Sequence, residues 1–65
     1  MTEAGKISIA MELIENEIGK CMNKMRESKD EKKEQKYKEL IKIRNEIYKG
    51  NYEIINKVIG DAEND

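Results

Sequence analysis

Two heptad-spaced apolar stripes flank a wholly polar run. In the first, Ile7, Met11, Ile14, Ile18, Cys21 and Met25 step alternately by four and three. In the second, Leu40, Ile43, Ile47, Gly50 and Ile54 step by three and four. A period of about 3.5 residues keeps one side of a helix facing a partner helix. Between the stripes, Ser28 to Lys36 carries no apolar side chain, which predicts a turn or a solvated helix start there.

The stripes mirror one another about that run. Cys21 with Leu40, Ile18 with Ile43, Ile14 with Ile47, Met11 with Gly50 and Ile7 with Ile54 share one constant sum of positions, 61. A chain that reverses near residue 30 brings these pairs together, and small Gly50 falls opposite bulky Met11. The expected fold is therefore all-α: an antiparallel helical hairpin with helices at about 3–27 and 30–59. The hairpin forms one domain over 1–60, followed by a disordered acidic tail over 61–65.

Local signals fit the hairpin. Thr2 is an N-cap candidate for the first helix. Ser28 and Glu31 have capping-box spacing for the second, with Asp30 as a competing cap. Gly60 reads as the left-handed glycine that closes the second helix. Gly50-Asn51 has two readings. A glycine inside a helix costs about 1 kcal/mol relative to alanine, so the pair fits a C-cap followed by an N-cap, with a short third helix beyond. The shared register through Ile54 favours one continuous or kinked helix, and that is the expectation adopted.

One seam does not consume all the apolar residues. Ala10, Leu13 and Met22 flank the first stripe, and Ile41, Tyr48, Ile55, Val58 and Ile59 flank the second. Contiguous apolar surface of this kind marks an interaction site. Self-association of two hairpins into a four-helix bundle is the expected outcome, since small helical scaffolds commonly add oligomerisation. A folded-back third helix and a different partner protein are the alternatives. The expected contact residues are Leu13, Met22, Ile41, Tyr48, Ile55 and Ile59.

Composition narrows the chemistry. The 65 residues hold 13 Lys+Arg and 14 Asp+Glu, with no histidine and one cysteine. Ser-His and Cys-His nucleophile pairs are thereby excluded, as is an internal disulfide. Zinc and di-iron bundle sites need histidine or several cysteines, so neither a metal nor a cofactor is expected, and Glu12, Glu15 and Glu17 read as a solvated acidic face. Cys21 lies on the stripe opposite Leu40 and reads as a small buried hydrophobe. No apolar run is long enough to span a bilayer, and the first residues lack a signal-peptide pattern. A cytoplasmic, non-enzymatic protein is the expectation.

Charge is distributed unevenly. Residues 28–49 hold eight bases against five acids, whereas residues 50–65 hold one base and four acids. Lys29, Lys32, Lys33, Lys36, Lys38, Lys42, Arg44 and Lys49, with Tyr37 and Tyr48 among them, are the nucleic-acid candidates, because cations track phosphates and aromatic faces stack on unpaired bases. Asp30, Glu31, Glu34, Glu39 and Glu46 interrupt them, a pattern typical of a solvated helix face. The architecture resembles the Rop family of helical-hairpin dimers, which bind paired RNA loops, in length and layout. That family's polar and basic stripe on the paired first helices has no counterpart here: the outer face of the first helix offers Glu12, Glu15, Asn16, Gly19, Asn23 and Arg26. The leading expectation is a small regulatory or adaptor protein acting through its apolar surface as a homodimer or with another protein. Rop-like RNA or nucleic-acid binding by the basic side of the second helix is the alternative.

Overall fold

The structure is a computed structural model that describes residues 3–28 and 30–63. Thr2, Lys29 and the last two residues of the acidic tail lie outside the described residues. Three helices follow in order: α1 (Glu3–Glu27), α2 (Glu31–Tyr48) and α3 (Tyr52–Glu63). Among the described residues there is no strand. The all-α expectation is met and the break between the first two helices falls where the polar run placed it. The expected continuous second helix is not formed.

The first turn is set by Asp30 rather than Ser28. Asp30 has extended backbone, φ −138° and ψ 170°, and its side chain accepts from the Lys33 N–H at 2.9 Å. This satisfies one of the four orphan donors of a helix start. Its backbone carbonyl already accepts from Glu34 N–H at 3.1 Å. Lys33 then reaches back, its ammonium donating to the Ser28 carbonyl at 2.7 Å. Ser28 is thus used through its backbone, and the Ser28–Glu31 capping box is corrected. Lys24 and Arg26 in the last turn of α1 suit the negative end of its dipole.

The second turn is a Schellman closure. Gly50 N–H donates to the Ile47 carbonyl at 3.0 Å, and Asn51 N–H to the Glu46 carbonyl at 3.1 Å. Gly50 sits at φ +81°, the left-handed conformation this motif requires. Asn51 then starts α3. Its side-chain oxygen accepts from Ile54 N–H at 3.5 Å, its carbonyl from Ile55 N–H at 3.0 Å, and its amide nitrogen donates to Glu46 Oε2 at 3.3 Å. One residue closes α2, opens α3 and ties the two together. Gly60, expected to hold the left-handed cap, lies inside α3 instead, and the helix continues through Asp61, Ala62 and Glu63. The first three residues of the expected disordered tail are therefore helical.

The break lets α3 fold back. Val58, Asp61 and Ala62 near its C-terminal end share a groove with Leu13, Ile14 and Glu17 of α1 and with Leu40 and Ile43 of α2. α3 thus runs beside the N-terminal half of α1, roughly parallel to it and antiparallel to α2. The 25 residues of α1, at about 1.5 Å each, account for most of the 39 Å long dimension. α3 is about half that length and leaves the hairpin's turn end uncovered.

The core combines Ala10, Ile14, Ile18, Cys21, Leu40, Ile47 and Ile55. Ile47 and Ile55 are 0% exposed, each contributing about 1.5–3 kcal/mol of transfer free energy. The expected sum-61 pairing is corrected: Ile14 shares a groove with Leu40 and Ile43, and the Cys21 thiol lies against the Lys33 carbonyl, so facing positions sum to less than 61, while Gly50 and Ile54 belong to the turn and to α3. Ala10, a flanking residue in the sequence pattern, is also 0% exposed, because the third helix packs on that side.

A candidate protein-binding face and a divided basic set

The six expected contact residues separate into two groups. Leu13, Ile55 and Ile59 are on the side that α3 covers. Ile55 is at the centre of the core, so it is corrected from surface anchor to core residue; Leu13 and Ile59 are half-buried. Met22, Ile41 and Tyr48 are elsewhere. Met22 is 45% and Tyr48 68% exposed, and Ile41 is half-buried.

These three lie on the flank of the hairpin away from α3. On α2, Tyr37, Ile41, Arg44 and Tyr48 recur at i, i+4, i+7 and i+11, which places them along one stripe at about 3.6 residues per turn. Leu40 and Ile43, which face α3, point to the other side. Across the seam, Met22, Met25 and Arg26 of α1 join Tyr37 in an open groove of about 390 Å³. The face is therefore mainly apolar, with two arginines set into it. Arg44 Nε is buried and has no hydrogen-bond partner among the described residues. An orphaned buried donor is costly.

Sequence reasoning gave Arg44 to the nucleic-acid set and Tyr37 to its flank. The i, i+4, i+7, i+11 spacing was readable and joins both to the apolar stripe. Their shared surface emerges only once α3 is known to cover the opposite side.

The eight basic residues do not form one surface. Lys38, Lys42 and Lys49 lie on the outer face of α2 and are exposed; Lys49 is 3.7 Å from Glu46. Lys32 is exposed beside Glu31 and Gln35. Lys33 and Lys36 turn toward α1, where they line a groove over Cys21. Arg44 belongs to the apolar stripe, and Lys29 lies outside the described residues. Among the described residues the ion pairs Lys20–Glu17, Lys33–Asp30 and Lys49–Glu46 span i,i+3 at 3.7–4.0 Å and, being partly or largely exposed, add little stability.

Cys21 is buried and free, with its thiol 3.5 Å from the Lys33 carbonyl. Its position in the core agrees with the buried-hydrophobe reading. Among the described residues no group of three His, Cys, Asp or Glu side chains is arranged to hold a metal ion, and no helix is long and apolar enough to cross a membrane. Comparison of the chain with protein-family models, with curated proteins and with solved structures produced no match.

Proposed function

We propose that this chain is a small, non-enzymatic regulatory or adaptor protein that acts by helix-to-helix docking through the Met22–Ile41–Tyr48 face. The observation that carries the reading is the stripe of Tyr37, Ile41, Arg44 and Tyr48, left uncovered by α3. Among the described residues Met22 and Tyr48 are the exposed large apolar ones; Tyr48 ends the stripe and Met22 borders it. Flexible Met side chains adapt to a partner's shape, and Tyr and Arg are the residue types enriched where binding energy concentrates. A second copy of the chain is the first partner to consider, because two such faces packed together enlarge a core that is small for a lone domain. The resulting homodimer would be a larger helical bundle than the four-helix one the hairpin pattern suggests, since each copy brings a third helix.

The test is sedimentation equilibrium of the reduced protein over a wide concentration range, with the double variant Met22→Asp/Tyr48→Asp beside it. Both positions are exposed enough to keep the fold, which circular dichroism verifies. A dimer that the double variant converts to monomer supports docking through this face. A wild-type monomer moves the question to other proteins, with captured partners compared between wild type and variant. If the double substitution changes neither mass nor partners, the reading is wrong.

A further inference from the structure

On the other flank, beyond the C-terminal end of α3, the structure gathers lysines from both helices of the hairpin. Lys20 and Lys24 of α1 and Lys33 and Lys36 of α2 line one groove of about 210 Å³ with Cys21. Each helix contributes two lysines one turn apart, a like-charge spacing that disfavours a helix on its own. Among the described residues Glu17 is the one carboxylate lining the groove, and it is taken up by Lys20 at 3.7 Å. Lys33 is held by the Ser28 carbonyl and by Asp30. The ammonium groups of Lys24 and Lys36 have neither an ion pair nor a hydrogen bond among the described residues. Folding thus brings four cations together against two carboxylates, Glu17 in the lining and Asp30 beside Lys33.

We propose that this groove is a binding site for a compact phosphate-bearing anion, with Lys24 and Lys36 as its principal cations and Lys20 and Lys33 as flanking ones. Ammonium groups on long stems act as mobile point charges suited to phosphate oxygens. The shape of the site selects a compact ligand over a nucleic-acid strand. Glu17 borders both this groove and the adjoining one, which also contains Asp61. A phosphate backbone continuing toward α3 would therefore meet two carboxylates and the negative end of the α3 dipole. A chain of two or three phosphates stops short of them. Lys38, Lys42 and Lys49, on the outer face, are not part of the site, so the assignment is independent of the apolar docking face and of the original basic set taken as a whole.

The experiment is titration of the full chain with inorganic tripolyphosphate, followed by melting temperature and by amide chemical shifts at low ionic strength. The variants are Lys24→Gln/Lys36→Gln and, with the same change in net charge, Lys38→Gln/Lys42→Gln. Wild type and the outer-face variant should gain melting temperature and shift amides around Cys21. The groove variant should bind at least about tenfold more weakly, and affinity should fall as salt shortens the screening length. Without ligand, the groove variant should melt no lower than wild type, because the substitution relieves repulsion. A nucleoside triphosphate binding as well as or better than tripolyphosphate keeps the assignment and identifies which phosphate source fits better. Equal weakening in both variants would mean diffuse charge attraction and would overturn the site. So would citrate binding as tightly as tripolyphosphate, a short RNA whose tighter binding depends on Lys38 and Lys42, or no binding by wild type at low salt.

Discussion

Replacing Gly50 with alanine tests the architecture through the sign of its effect. In a continuous second helix, Gly→Ala would stabilise the protein by about 1 kcal/mol, the difference in helix propensity. In the three-helix structure Gly50 sits at φ +81°, where an L-residue loses about 1–2 kcal/mol. A Cβ built at this position meets nothing within 4 Å, so no steric clash adds to that cost. Alanine also restricts the unfolded chain, which returns about 0.4–1 kcal/mol. The net expectation is a loss of about 0.5–1 kcal/mol. Gly19 and Gly60 provide internal controls. Both lie in helices with open space at the Cβ position, so Gly19→Ala and Gly60→Ala should stabilise by up to about 1 kcal/mol, less at Gly60 because it is close to the helix end. Urea unfolding monitored by helical ellipticity measures all three. With a slope of about 1 kcal/mol per molar for a chain this small, each effect moves the midpoint by about 0.5–1 M. In heat the same changes are worth roughly 4–8 °C per kcal/mol. If Gly50→Ala raises the midpoint alongside the two controls, residue 50 is helical and the fold-back of α3 is wrong.

Two further outcomes follow from the caps and the core. Asp30→Ala should cost about 1 kcal/mol by removing the acceptor for Lys33 N–H, whereas Ser28→Ala should stay within about 0.5 kcal/mol because only the Ser28 backbone is used. Equal losses in urea midpoint would return the cap to Ser28. Ile55→Ala should cost about 2–5 kcal/mol by opening a cavity, comparable with the whole stability expected at this size, while Tyr48→Ala should be within about 0.5 kcal/mol. An Ile55→Ala protein whose urea midpoint matches that of wild type would place Ile55 outside the core.

The hairpin was legible because its signal is a period. Residues from Ile7 to Cys21 and from Leu40 to Ile47 alternate by threes and fours, and a polar run separates them, so the seam's residues and the first turn follow from spacing, whereas the pairing across the seam depends on where the turn closes, at Asp30. The second turn was ambiguous because heptad register survives it. Ile54 keeps its place in the numerical pattern even though the helix axis has reversed, and a period cannot report a change of direction that leaves the spacing intact. The local chemistry of Gly50-Asn51 held the answer, since glycine at C′ and asparagine as an N-cap are each favoured and here they adjoin. Gly60 misled for the opposite reason. A glycine after an apolar pair looks like a terminator, yet α3 runs on through Asp61, Ala62 and Glu63. The candidate surfaces were legible as residue types but not as groups. Ile55 and Tyr48 both looked like surplus hydrophobes until the fold-back buried one and left the other exposed. The basic groove was harder to find, because Lys20 and Lys24 come from a segment whose acids outnumber its bases, and they join Lys33 and Lys36 only across the seam.

The short reach of α3 divides the molecule into two tiers of unequal depth. Near residues 10–17, α1 is enclosed by two helices; near residues 21–27 it has one neighbour and open water. Backbone amides of the enclosed tier should exchange with deuterium through opening of the whole bundle, while those flanking the first turn should exchange through local fraying. A single helix therefore carries a gradient of opening free energies along its length. The docking face spans both tiers from Tyr48 to Met22, so a partner seated along it would slow exchange most at the turn end, where the free protein is least protected.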